Sequence, residues 1–552
     1  MVNSLNKLAF KELRPEIIPE IIEATQRTLA LTPRDMALAL LEEVVADLDK
    51  KWGGGEMTAT AYDTAWVAMV RDPYNHEQLA FPHSFNWLLK HEAVDGSWGG
   101  PFPYSLIPTL AALLAMLKAP EQTEQTRYAA SRAEAYLRTA FTQWSVKKHE
   151  SVGFEVLAPS LLEELEKLGV VFEFPDKAEL LQLYTEKLLI DAPEMIYSGQ
   201  SGLIHSLEAF SSSLDFKRLK QQQATNGSYG GSAAATAAVL IYGPEWDIAA
   251  AEWLTHLSDR TFDGARGAVP GAYPMDTFEG TWILYNLASA GFNLRREFPQ
   301  PLLQKLLAWL QQSLTPLGAS MSRIIGLPTD SDCTGMLLAV LNKAGVEIPV
   351  DYLLHFERST HFACYDGERV ASLSANAHVL AALLSLPKAA QSNLANSITK
   401  VVDYLYNVRD SCGFWEDKWH LSPFYATACA VMALAEHEEL AVRNKLQPTM
   451  DWVLQTQSSI DGGWGCGDFS TLEETAYALQ ILQAVPDVVE PSDYLAYKRA
   501  IHRGVKYLWQ HLDDYYPDYG AWLPKLWRDK ELYTPLRIVF SAVIAVLNQS
   551  GR

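Results

Sequence analysis

Four short turns decide the fold: Asp95–Gly100 (DGSWGG), Asn226–Gly231 (NGSYGG), Cys412–Trp415 (CGFW) and Asp461–Gly465 (DGGWG). Each lies between stretches with apolar residues at helical spacing, and glycine supplies the backbone freedom a tight turn needs. The aromatic after the turn can stack on the preceding helix and fasten one helical hairpin to the next. Repeated hairpins of this kind close into helical barrels or solenoids. The copies fall into two groups, residues 95–231 and 412–465, which predicts two helical barrels facing each other across a cavity. Other segments agree: PRDMALALLEEVVADLDKKW, SLIPTLAALLAMLK, ANAHVLAALLSL and ETAYALQILQAV carry the helical period, and alternating strand patterns are scarce. The expected class is all-α, with Trp98 and Trp464 as scaffold staples.

The bulk properties narrow the function. A chain of 552 residues is multi-domain by default. A net charge of −21 excludes the basic footprint of a nucleic-acid binder. An anionic substrate would need local Lys/Arg or Mg²⁺ to offset that charge. The aromatic share is 11%, with 16 Trp, more than core packing ordinarily asks for. The five cysteines, Cys333, Cys364, Cys412, Cys429 and Cys466, are odd in number and form no CxxC pair. That argues against a disulfide framework or a Cys-rich zinc site, and for a reducing cytoplasm. The start, MVNSLNKLAFKELRPE, has no apolar signal core, and the uncharged stretch at 101–117 holds three prolines, so no membrane span is expected.

Leu327–Thr334, LPTDSDCT, carries the chemistry. Asp330 and Asp332 are the only charged residues between Arg323 and Lys343, and a helix-like run follows them. Desolvation and like-charge repulsion both raise a carboxyl pKa, so one of the two can stay protonated near neutrality. A protonated carboxyl facing an apolar cavity can act as an acid toward a carbon–carbon double bond. The other reading is an Asp that caps the following helix, with Thr334 beside it.

These motifs, together with TAYDTAWVAMV (Thr60–Val70), FPHSFNWLLKHEAVDGSWG, VGFEVLAPSLLE, LIHSLEA, YPMDTFEGTW, EDKWHLSPFYATA, EETAYAL and LWRDKELYTPLRIV, stand in the order of a known family. The chain resembles the class II diterpene cyclases, the copalyl-diphosphate-synthase type of terpene synthase. The resemblance implies two α-helical barrels, γ and β, with the active site between them. It places the N-terminal segment of β at 1–51, an inserted γ domain at 52–290 and the rest of β at 291–552. It implies no class I α domain, since the chain ends soon after Tyr533 and Asp513–Asp518 has the wrong spacing for that domain's metal motif.

The resemblance also implies a reaction: proton-initiated cyclisation of geranylgeranyl diphosphate with the diphosphate retained. Asp332 matches the proton donor of the family's DxDD motif, Asp330 its first Asp, and Asn376 the Asn that hydrogen-bonds the donor. Cys333 departs from the last Asp; a thiol is normally neutral and cannot replace a carboxylate's charge. Trp282 matches a cavity Trp, with Tyr273, Trp415 and Tyr425 as further wall residues whose faces can stabilise cations. His205 matches the His of a water-holding His/Asn pair, but Gly271 stands where the Asn would be. The broken pair points to a rearranged halimane or clerodane (kolavenyl-type) skeleton, with a stereoisomeric copalyl diphosphate next. The same acid would also serve farnesyl diphosphate, giving drimenyl diphosphate. Mg²⁺ is the expected cofactor, with Glu150 its remaining ligand and Lys147, Lys148 or Lys187 near the diphosphate. The product would pass to a separate class I synthase or a phosphatase, and a homo-oligomer is compatible. Two rival classes remain. A protein prenyltransferase β subunit would bind zinc through Asp410, Cys412 and His420 or His437. A non-catalytic helical-repeat scaffold would yield no product.

Overall fold

The computed structural model describes residues 31–146, 153–190, 193–211, 213–488, 493–512 and 523–551. Six helices close a ring: Asp276–Ser289, Ser331–Lys343, Leu373–Ser385, Pro423–Ala435, Leu472–Ala484 and Leu536–Ser550, the last packing back on the first. These helices are apolar on nearly every face. Leu373–Ser385 is buried continuously from Leu373 through Leu383, as a helix walled in by protein must be. Around them lies an amphipathic outer layer. Ala395–Asn407, for example, buries only Ser397, Ile398, Val401, Val402 and Leu405, a single stripe. Pro33–Asp47 joins this layer and packs on Leu536–Ser550.

A second, smaller ring consists of Ala61–Ala68, Leu106–Leu117, Phe154–Lys167, the 3₁₀ segment Gly202–Phe210 and Ala233–Tyr242. Both rings are α/α barrels. Among the described residues the one sheet is a hairpin, Trp527–Arg528 paired with Leu532–Tyr533.

The hydrophobic clusters follow the rings. One takes residues between Met36 and Met57 and between Met275 and Leu547; the other runs from Ala59 to Tyr273. The division expected at 290 therefore shifts: Asp276–Ser289, with Trp282, packs with the flanking barrel, because a helix buried on all sides needs both of its ring neighbours.

The turn motifs act as staples through one repeated geometry. The indole N–H of Trp98, Trp415 and Trp464 donates to a carbonyl of the preceding helix: Leu88 at 2.9 Å, Leu405 at 2.6 Å and Val453 at 2.8 Å. Their backbone N–H groups donate to a Thr hydroxyl on the following helix: Thr109, Thr427 and Thr475, at 2.9, 3.0 and 2.9 Å. Tyr229 keeps the second bond, to Thr236 at 3.0 Å. Gly413 shows why glycine precedes the aromatic: φ is +100°, and a Cβ there would stand 2.6 Å from the Pro448 carbonyl oxygen. Trp415, expected in the cavity wall, is thus a staple. It is fully buried and its indole is spent on Leu405.

Candidate active site

The acid motif opens the helix Ser331–Lys343. Asp330 is the N-cap, and its carboxylate accepts the Cys333 backbone N–H at 2.6 Å. The capping role thus falls on Asp330 alone, which leaves Asp332, in the first turn, free to face elsewhere. His378, on the neighbouring helix Leu373–Ser385, meets it: His378 Nδ1 lies 2.5 Å from Asp332 Oδ1. The imidazole is almost wholly buried, while the Asp332 side chain keeps 16% of its surface open.

The electrostatics follow from this packing. Burial, reinforced by the charge of Asp332, raises Asp330 to about 7 against the Cys333 N–H bond that lowers it. Burial works to depress His378, but the Asp332 carboxylate outweighs it and brings the imidazole up to about 10. Burial pushes the Cys333 thiol well up, so the residue in the last motif position is neutral. The cluster is therefore a carboxyl pair that holds a proton near neutrality, beside an imidazolium. The charge that raises both Asp330 and His378 is that of the Asp332 carboxylate, so a proton leaving Asp332 leaves behind the form that the imidazolium and the positive helix N-terminus stabilise.

Aromatic rings wall the space beside this cluster. Trp282 meets the His378 ring edge to face at 5.2 Å and lies 4.1 Å from Phe278. Its indole N–H donates to the Tyr425 hydroxyl at 3.3 Å. Tyr425 in turn packs on Trp527 at 4.5 Å and on His420 at 4.7 Å. Buried Glu473 fixes the far side by accepting from the Trp527 indole at 2.6 Å and holding His420 Nε2 at 3.1 Å. His420 is thus committed to the wall, which removes it from any zinc site with Asp410 and Cys412; Asp410 caps its own turn through the Cys412 N–H.

The hairpin carries the wall onward to the second barrel. Trp527 and Tyr533 belong to the aromatic cluster, while Asp529 and Lys530 at its tip reach across. Lys530 Nζ donates to Glu208 at 2.9 Å and Ser232 at 2.5 Å, and also to the His205 carbonyl. Burial raises Tyr533 well above the usual phenol range, and the charges of both Asp529 and Asp332 add to the rise.

Asp330, Asp332, Cys333, Trp282 and Tyr425 come together. Asn376, expected to orient Asp332, does not touch it: its amide accepts from the Phe362 N–H at 2.9 Å and donates to the carbonyls of Phe362 and Ser372. Residues two apart on a helix point to nearly opposite faces, so the segment ANAHVL could offer Asp332 the Asn or the His but not both. Tyr273 also leaves the wall. Its hydroxyl donates to the Gly53 carbonyl at 2.8 Å and accepts from Arg260 at 2.7 Å. His205 and Gly271, on the second barrel, both lie against Asp529. Lys187 is half-buried on Lys177–Ile190. Glu150, Lys147 and Lys148 lie outside the described residues, as does Asp513–Asp518. Among the described residues no group of three or more His, Cys, Asp or Glu side chains converges as a metal site. No helix among them is long and apolar enough to cross a membrane.

Comparison with known proteins agrees with this geometry. The family described as "Squalene-hopene cyclase C-terminal domain" matches residues 366–522. The chain is 31% identical over 533 residues to an ent-copalyl diphosphate synthase of Streptomyces sp. (strain KO-3988), covering 94% of the chain and 96% of the relative. It is 31% identical over 477 residues to phyllocladan-16-alpha-ol synthase of Phomopsis amygdali, covering 81% of the chain but 47% of that protein. The chain spans about half the length of that relative and of two bifunctional premutilin synthases. In three dimensions it superposes on ent-copalyl diphosphate synthase from Streptomyces platensis with a TM-score of 0.77, at 29% identity, covering 94% of this chain and all of that one. An acid pair at a helix start, an aromatic cluster beside it in the larger α/α barrel, and a relative matched over nearly its whole length lead to one assignment: the chain belongs to the class II diterpene cyclases of the copalyl diphosphate synthase type.

Proposed function

We propose that this chain protonates the terminal alkene of geranylgeranyl diphosphate and closes two rings with the diphosphate retained. The observation that carries the reading is the 2.5 Å contact between His378 and Asp332 beside the aromatic wall. Asp332 gives its proton from the oxygen that His378 does not hold. The imidazolium steadies the carboxylate that remains, and Asp330 keeps a proton within the pair. As each alkene attacks the cation before it, positive charge moves along the faces of Trp282, Phe278, Tyr425 and Trp527, which stabilise it without forming a bond. The close-packed wall keeps water from ending the cascade early.

Gly271 in place of a termination Asn favours a rearranged kolavenyl- or halimadienyl-type diphosphate. The relatives named copalyl diphosphate synthase favour copalyl diphosphate as the second reading. Drimenyl diphosphate from farnesyl diphosphate uses the same acid. Mg²⁺ bound to the diphosphate oxygens would neutralise that group, with Glu150 the proposed protein ligand. The enzyme would work in the cytoplasm and hand its product to a class I synthase or a phosphatase.

The test is incubation of the purified chain with Mg²⁺ and each of geranyl, farnesyl and geranylgeranyl diphosphate, then dephosphorylation and identification of the alcohol. A bicyclic C20 alcohol from geranylgeranyl diphosphate is expected. No cyclic product from any of the three, or release of diphosphate with a hydrocarbon, contradicts the reading.

A further inference from the structure

The missing side chain at Gly271 has a replacement in the structure. A Cβ built on Gly271 would lie 3.1 Å from Asp529 Oδ2 and 3.3 Å from Asp63 Oδ2. Gly271 therefore leaves room that Asp529, from the hairpin of the other barrel, enters. The same carboxylate meets His205: Asp529 Oδ1 is 3.4 Å from His205 Nε2. His205 Nδ1 lies 2.8 Å from the Gly230 carbonyl oxygen. A carbonyl only accepts, so Nδ1 donates to Gly230, and Nε2 holds the Asp529 carboxylate as a second donor when the ring is an imidazolium.

The two carboxylates near Gly271 are not equivalent. Asp63 is fully buried and spent on scaffold bonds, accepting from the Thr60 hydroxyl at 2.8 Å and the Ala234 N–H at 2.9 Å. Asp529 keeps 24% of its side-chain surface open. Burial alone would raise Asp529, but His205 and Lys530 outweigh it and hold the carboxyl below its usual range, so it stays ionised. Asp63, in contrast, is raised by burial to about 7. Tyr533, which closes the same hairpin and packs on Trp527 with ring centres 6.4 Å apart, is raised by burial and by the charges of both Asp529 and Asp332.

Resting on the cyclase reading above, we infer that Asp529 is the base that ends the cation cascade, with His205 its positioning residue and Gly271 the gap that admits it. In the last step a C–H bond next to the cationic carbon breaks, its electron pair forms the product alkene, and the proton goes to Asp529. Asp332 has given one proton and Asp529 takes one, so substrate and product are isomers, and solvent returns both carboxyls to their starting states.

The test compares the products of the parent, Asp529→Asn, Asp529→Glu and Gly271→Ala with geranylgeranyl diphosphate and Mg²⁺, after dephosphorylation. Asn keeps the shape but cannot take the proton. Asp529→Asn is expected to consume substrate at a rate within about tenfold of the parent, because Asp332 still starts the reaction, while the parent's main product falls at least about tenfold against other alkene isomers and water-captured alcohols. Asp529→Glu restores part of the parent ratio. Gly271→Ala keeps the carboxylate but crowds it, and shifts the ratio in the same direction. Gly271 has no positive φ that alanine would strain, so this variant decides the matter if Asp529→Asn does not fold. A product ratio unchanged in the folded variants overturns the inference. A parent inactive on every prenyl diphosphate overturns the cyclase reading itself, a result distinct from an active parent with indifferent variants.

Discussion

Asp332 and His378 set the terms at the scale of single residues. Replacing Asp332 by Asn removes the proton but keeps the shape, and turnover is expected to fall about 10²–10⁴-fold, the range general acids contribute. A steady-state rate with the fold checked by circular dichroism tests it. His378→Ala strips the partner from the partly buried Asp332 carboxylate, so it is expected to lower both the rate and the stability; chemical denaturation reads the second effect. A pH profile follows from Asp330. In the folded chain it titrates near 7, against an ordinary value of 3.8. The folded state therefore holds a proton that the unfolded state has already released. Activity is expected to fall with one proton as pH rises through about 7, and the site's contribution to stability declines over the span from 3.8 to 7. A rate that stays flat from pH 6 to pH 9 would contradict it.

At the scale of elements, the turn aromatics and the wall aromatics part company. Trp464→Ala removes a fully buried ring and leaves the Val453 carbonyl without its indole donor, while the backbone bond to Thr475 stays, so a loss of about 3–5 kcal/mol is expected by denaturant unfolding. Trp282→Phe keeps a ring in the wall but weakens the face nearest His378. It is expected to alter rate and products with little change in midpoint. Local pattern made the helices and the turn staples legible, because period and glycine placement are properties of neighbours along the chain. It did not separate Trp415 from Trp282, since both read as aromatics in helical surroundings; only the packing shows one indole spent on Leu405 and the other aimed at Tyr425. Asn376 and His378 pose a related problem: helical phase says which residues share a face, not which face meets Asp332.

At the scale of the whole molecule, the hairpin Trp527–Tyr533 ties the two barrels and lines the space between them. Its contacts were invisible in the sequence because they join residues more than 300 positions apart, such as Lys530 with Glu208 and Asp529 with His205. The segment LWRDKELY stood out only as a family match. Lys530 is the one non-glycine residue with a positive φ among the described residues, 46°, a conformation that persists where surrounding contacts hold it. Lys530→Met leaves Glu208 and Asp63 buried without their cation, with an expected loss of about 3–5 kcal/mol in unfolding experiments.

The central claim is that Asp332 delivers a proton to carbon. The most direct measurement is the reaction run in D₂O with geranylgeranyl diphosphate, followed by mass spectrometry of the dephosphorylated alcohol. One deuterium per product molecule is expected, with no product from Asp332→Asn. A cyclic product free of deuterium, or equal turnover by Asp332→Asn, would contradict the account.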